Sequence, residues 1–309
     1  MAEWLGRSAP GLFPGFRPSR RLFLRAVALL VLATGLSPAR TLLGAAEPIR
    51  VVSQTVGTDE LLLALADPEQ IAALSHLAGD PNFSAVGAEA APYPKLDRNA
   101  DAEGILKYHP TLVLFADYSR LELVEQVRRT GVTVIVFDRY HTLEDAFHNL
   151  RVLGRALGPA AEARAEKIIA DSQAIVDDLA RRLEGAPRPR VIAPSTYGVI
   201  PGAQTTFQNL CDHAGAENLA ATRAGLVGHQ PPPVEQMLAW PIDYLVVAGD
   251  SLEQALAPYR ELPPYAFMPA LREGRAVLLE PWQLSCVTHH RVRGYLTLAR
   301  ALHPERFEP

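Results

Sequence analysis

Cysteine is nearly missing from this 309-residue chain, which has two, at Cys211 and Cys286. So few exclude a disulfide-framework scaffold and a fold built on several thiolate-held zinc or iron–sulfur centres. Aromatic residues are sparse, at 7% of the chain. Neither sign of charge dominates: 30 Lys plus Arg stand against 34 Asp plus Glu, a formal −4. A near-neutral, slightly acidic chain lacks the basic footprint of a nucleic-acid binder. Nucleotide and catalytic signatures are also missing: there is no Walker-type phosphate loop, no G-x-S-x-G elbow and no H-E-x-x-H pair. No turnover chemistry is therefore expected. What remains is an ordinary globular composition, 48% hydrophobic and 21% charged. The length suits two modest domains.

The first 46 residues read as an export address. Ser19-Arg20-Arg21-Leu22-Phe23-Leu24-Arg25 precedes an apolar run over 26–36, and Gly44, Ala45 and Ala46 follow as a small-residue exit. A charged head, an apolar middle and small residues make a secretory signal. The run is about half the ~20 residues a membrane span needs. The paired arginines resemble the twin-arginine export motif, with Arg25 where Lys is more usual. The expected product is soluble and periplasmic. Removing six arginines and one glutamate leaves 24 basic and 33 acidic residues, about −9 over 263 residues.

Beyond the address, Val/Ile-rich runs at 49–53, 71–74, 112–115 and 132–137 alternate with helical patterns at 59–66, 101–108 and 120–130. Continuous apolar strands between amphipathic helices predict a parallel sheet covered on both faces. The alternation stops at 142. Leu143, Ala146, Leu150, Leu153 and Leu157 share one helical face. After Gly158-Pro159 a second stripe continues through Ile168, Ser172, Ile175, Leu179 and Leu183. That second helix, about 25 residues and roughly 35–40 Å long, predicts a stiff connector. Strands resume at 190–193, 244–248 and 276–279, with helices at 206–214, 234–239 and 291–302. The expected fold is α/β: two lobes, each with a central parallel sheet, joined by a helical spine. Its boundaries are 1–46 signal, 47–141 first lobe, 142–185 connector and 186–309 second lobe.

Local landmarks stand in a characteristic order. They are Val51-Val52-Ser53 before Thr58-Asp59-Glu60-Leu61, Ala102-Glu103-Gly104-Ile105-Leu106 before His109-Pro110-Thr111-Leu112, Ala214-Gly215-Ala216-Glu217-Asn218, and Gly274-Arg275-Ala276-Val277. With the spine and the export signal, this order resembles the substrate-binding proteins of ABC importers for vitamin B12, iron–siderophores and haem, over essentially all of 49–307. The resemblance implies a monomer that holds a metal chelate between two lobes and delivers it to a membrane permease and its ATPase. It implies no cofactor of its own beyond a metal-containing ligand. It also assigns permease docking to one glutamate per lobe, matching Glu103 and Glu235. Both lie in the first turn of a predicted helix, where a carboxylate also complements the helix dipole.

Ligands of open α/β sheets bind beyond the carboxyl ends of the strands. That rule selects His76, Asp117, Tyr118, Arg139 and Tyr140 in the first lobe, and Thr196, Tyr197, Asp250 and Trp282 in the second. Tyr93 is a further loop candidate. Aromatic rings supply flat apolar area with a polar rim, and arginine can pair with carboxylate substituents. Between the last strand and helix, Cys286, His289 and His290 offer thiol and imidazole donors. Three readings stay open for them: metal coordination, with Cys286 and His289 foremost; polar cleft contacts; or helix capping. A site for a free cobalt, zinc or iron ion is the alternative function. The cysteines leave two readings. Cys211 falls where the resembled vitamin B12 binders carry a disulfide cysteine, but their partner position falls near Ala299 here. A Cys211–Cys286 bridge remains open, as does a buried Cys211 with Cys286 at the ligand.

Overall fold

The computed structural model describes residues 48–308. The export segment 1–46 lies outside the described residues. Among them, no helix is long and apolar enough to cross a membrane.

The first lobe carries β1 (Val51–Ser53), β2 (Ile71–Ala73), β3 (Leu112–Ala116) and β4 (Thr133–Phe137), in the order β2-β1-β3-β4. All pairings are parallel, with Val51 beside both Ile71 and Leu112, and Leu112 beside Thr133. The inner strands are buried throughout, which explains their unbroken Val/Leu/Phe runs. β4 pairs on one side only and shows Thr133 to solvent. The second lobe repeats the plan with β5 (Arg190–Ile192), β7 (Glu217–Asn218), β9 (Tyr244–Ala248) and β10 (Ala276–Leu279), in the order β10-β9-β5-β7, again parallel. A small antiparallel pair, β6 (Ile200–Pro201) with β8 (His229–Gln230), flanks it. The fold is α/β with parallel sheets, as the alternating pattern predicts. The two-residue strands β6, β7 and β8 were not legible in that pattern, being too short to show a period.

The main helices are α1 (Val56–Leu65), α2 (Ala102–Leu106), α3 (Leu121–Arg128), α4 (Leu143–Leu157), α5 (Pro159–Arg182), α6 (Thr206–His213) and α7 (Arg291–Leu302). Their starts are chemically marked. Thr55 caps α1, Asp101 caps α2 by accepting the Gly104 N–H at 2.8 Å, and Thr142 forms a capping box with Asp145 on α4. Between α4 and α5 the chain turns at Gly158 (φ +112°), a backbone conformation open to glycine. Pro159 then starts α5, where its missing N–H costs nothing.

One apolar core runs through both lobes. It joins Val51, Leu61 and Leu114 of the first to Leu150, Leu153 and Ile169 of the helical pair, and these to Val191, Phe207, Leu210, Tyr295 and Leu298 of the second. Separate clusters fill the outer faces, around Phe115 and Val124 in the first lobe and around Leu245 and Met268 in the second. Arg164 of α5 donates to the Leu65 carbonyl at the end of α1, tying the connector to the first lobe.

Candidate functional site: the cleft between the sheets

The strand ends of the two sheets border a cleft with two compartments. The first, about 400 Å³, lies against the first lobe; its walls include Gly57, Glu60, His76, Phe83, Tyr118 and Cys286. The second, about 630 Å³, lies toward the second lobe and is bounded by Tyr140, His141, Tyr197, Gln204, His229 and Tyr259. Ser285 and Val287 belong to both walls. Each volume falls in the ordinary range of small-molecule sites.

The first wall is rigidly built. Asp59, fully buried in α1, accepts the Ser75 N–H at 2.9 Å and the Ser75 hydroxyl at 2.5 Å, fixing the turn that carries His76. Burial pushes the Asp59 carboxyl up to about 7, against the pull of these hydrogen bonds. Ser119 donates to Gln54 at 2.8 Å, linking the ends of β1 and β3. Tyr118 stands 63% exposed, with its ring edge-on to Tyr140 at 6.0 Å. The Tyr140 hydroxyl donates to Asp117 at 3.1 Å, and its ring lies 4.9 Å from His141. Tyr118, Tyr140 and His141 thus form an aromatic line along the first-lobe rim.

On the second wall Tyr197 is 91% exposed, an unusual state for so large a ring. The Tyr259 hydroxyl donates to the Pro194 carbonyl at 3.1 Å. Gln204 sits at φ +58°, a strained conformation for a residue with a side chain.

His76, Tyr118, Tyr140 and Tyr197 therefore meet at the cleft. Four other sequence candidates lie elsewhere. Tyr93 packs half-buried against the first-lobe core. Trp282 is buried because the short 3-10 turn Pro281–Leu284 swings it inward; its Nε1–H donates to Glu280 at 2.7 Å, and Arg293 covers its ring at 4.6 Å. It borders a separate recess of about 560 Å³ with Asp250. His289 and His290 line neither compartment. Their rings lie 4.0 Å apart, and burial holds them down at about 3 and about 4, so both are neutral. Cys286 does face the first compartment, with its thiol pushed up to about 12 by burial and the nearby Glu60. It is a protonated thiol at neutral pH. Cys286 and His289 thus have separate settings, and among the described residues no group of three or more His, Cys, Asp or Glu side chains could hold a metal ion. Cys211 and Cys286 are both free and buried. Glu103 and Glu235 are both exposed.

The lining residues His141 and Arg120 were within reach of sequence reasoning, since each lies a residue or two from a chosen strand-end position. Phe83, His229 and Tyr259 were not, because they arrive on loops whose return to the cleft has no local signal.

Residues 51–281 match a family described as periplasmic binding protein. The chain belongs to that family. Its members bind rather than catalyse, and several of the solved structures it resembles are described as periplasmic. The heme-binding protein RhuT from Roseiflexus sp. RS-1, in apo form, is 26% identical with a TM-score of 0.71, over 84% of this chain and 100% of that one. A periplasmic heme-binding protein from Pseudomonas aeruginosa is 25% identical with a TM-score of 0.69, over 84% and 94%. Elongation factor 3 of Candida albicans is 27% identical over 200 residues, which is 63% of this chain. The chain spans 18% of that protein's length, so the family member takes no activity from it.

Proposed function

We propose that this family member is the capture component of an ABC importer, taking up a metal chelate after export to the periplasm. Haem is the first candidate, since two similar proteins are named for binding it. A corrinoid or a ferric siderophore is the same chemical class. The observation that carries the reading is the cleft itself. Two adjoining compartments are walled by exposed rings and imidazoles from both sheets. Flat apolar area there suits a macrocycle, and His76, Tyr118, Tyr140 and Tyr197 put nitrogen and phenol oxygen donors of the kind that hold haem iron around the opening. Arg120 borders the first compartment and could meet a carboxylate substituent. Delivery to a permease and its ATPase goes through Glu103 and Glu235.

The test is a titration of the purified protein with hemin, cobalamin, cobinamide and a ferric siderophore panel, read by visible absorption and tryptophan quenching. One class is expected to saturate near one equivalent or a small whole number, at micromolar concentration or below. Failure of all four sinks the reading. For a hemin binder, His76→Ala, Tyr118→Phe and Tyr140→Phe should separate the iron donor from its neighbours, since only loss of the donor moves the Soret band.

A further inference from the structure

Two adjacent carboxylates begin α1, and both are buried: Asp59 fully, and Glu60 with 2% exposure. Asp59 serves its own lobe through Ser75. Glu60 does something different. Its Oε1 accepts the Ala85 N–H at 2.9 Å, and its Oε2 accepts the Thr288 hydroxyl at 2.5 Å. Ala85 lies two residues from Phe83, on the loop that walls the first compartment. Thr288 belongs to the second lobe, between β10 and α7, directly after Cys286 and Val287, which close the same compartment. One side chain therefore holds both walls, and it lies in the lining itself.

The backbone beside it is as close. A Cβ on Gly57 would come within 2.6 Å of a Val287 methyl, so the first turn of α1 rests against the second-lobe loop and a side chain there would have to displace Val287. Cys286 completes the contact, with its sulfur 3.9 Å from Glu60 Oε2.

We propose that Glu60 couples the two lobes at the cleft floor and thereby sets how firmly the first compartment holds cargo; the second part rests on the capture reading above. A buried carboxylate that loses one of two donors is left partly unpaired in a low-dielectric site. The wall it no longer holds is free to shift. Glu60 is thus a positioning residue, acting through Phe83 on one side and Val287 on the other. Bonding geometry matters more than charge here. A glutamine at this position still accepts from Ala85 with its oxygen, and its NH2 donates to the Thr288 hydroxyl, which can turn to accept.

The test compares Glu60→Ala and Thr288→Val with Glu60→Gln and Thr288→Ser. Spin labels are placed on Lys107→Cys in the first lobe and Glu253→Cys in the second, both exposed positions, while Cys211 and Cys286 stay buried and unlabelled. Pulsed distance measurement on the cargo-free protein should show a broadened interlobe distribution for Glu60→Ala and Thr288→Val. Glu60→Gln and Thr288→Ser should match the parent. Hemin affinity should fall about ten-fold in the first pair and stay within about two-fold in the second. An unchanged distribution in both Glu60→Ala and Thr288→Val overturns the coupling, and so does broadening that the conservative pair shares. Broadening with unchanged hemin affinity overturns the link to cargo. If the parent protein binds no chelate, the capture reading fails, while the distance measurement, which needs no cargo, still decides the coupling.

Discussion

Buried titratable groups near the cleft should make stability depend measurably on pH. The Asp59 carboxyl sits at about 7 in the folded chain against an ordinary 3.8. Between those values the folded chain keeps a proton that the unfolded chain has lost. Its stabilising contribution is therefore full below about pH 4 and is lost as pH rises to about 7. His289 and His290 act oppositely. They stay neutral down to about 3 and about 4 against an ordinary 6.5, so the unfolded chain gains protons first and stability falls as pH drops below 6.5. Asp59→Asn isolates the first effect. The amide still accepts the Ser75 N–H and donates to the Ser75 hydroxyl, but it has no proton to lose. The Tm difference, variant minus parent, should rise by several degrees between pH 5 and pH 8; a flat difference would refute the assignment. Arg291 supports the cleft through hydrogen bonds instead and is 3% exposed. It donates to the Tyr140 carbonyl at 2.9 Å, His141 carbonyl at 3.1 Å, Cys286 carbonyl at 2.9 Å and Asn209 Oδ1 at 3.1 Å, so it ties the aromatic rim to the second lobe. Arg291→Met strands these acceptors and should cost about 2–4 kcal/mol in denaturant unfolding. A loss under about 1 kcal/mol would mean water replaces the guanidinium.

At the scale of elements, the strands that form the two sheets were largely legible because burial on both faces forces an unbroken apolar run, as in Leu112–Ala116 and Tyr244–Ala248. The helix stripes were legible because α4 and α5 each bury one face. After β10, Cys286 reaches the cleft wall while Trp282, His289 and His290 do not, for a specific reason. The strand-end rule gives position along the sheet and says nothing about a tight turn. The turn at Pro281–Leu284 buries Trp282, and the next one buries His289. Close packing between helices was also hidden. Gly154 of α4 faces α5 so closely that a Cβ would meet Glu162 Cα at 3.2 Å, the Ala161 carbonyl at 3.3 Å and Ala165 Cβ at 3.3 Å. Two of those neighbours are backbone and cannot rotate away. Gly154→Val should therefore force α4 and α5 apart and cost about 1–3 kcal/mol. Thermal unfolding of this variant beside an exposed control, Arg155→Ala, tests it; equal Tm values would show that the connector yields freely.

At the scale of the molecule, the continuous core through both lobes and the connector opposes wide hinge motion. Under the proposed capture role, a permease would therefore read fixed points rather than a large closure. In a βαβ arrangement, helices that lead into parallel strands run opposite to them, and their first turns lie at the strands' carboxyl ends. Glu103 opens the helix leading into β3, and Glu235 opens Val234–Met237, which leads into β9. By that rule both carboxylates belong to the cleft side, one per lobe, and both are exposed. Val234 and Leu238 flank Glu235 with 45% and 46% exposure, which would give a docking contact there an apolar border. Two charges held at a fixed separation by a stiff body define an orientation, and charge-assisted pairs to arginine would read it. Glu103→Arg with Glu235→Arg should therefore abolish chelate uptake by cells carrying the importer. Stability should change by no more than about 0.5 kcal/mol, as for other surface positions. Hemin affinity should stay within about two-fold, because neither residue lines either compartment. Each single reversal should leave intermediate uptake, since one point still binds but no longer fixes the angle. Full uptake by the double variant would place the docking contacts elsewhere on the rim, whereas lost uptake with lost hemin binding would show that the reversals disturb the cleft rather than the dock.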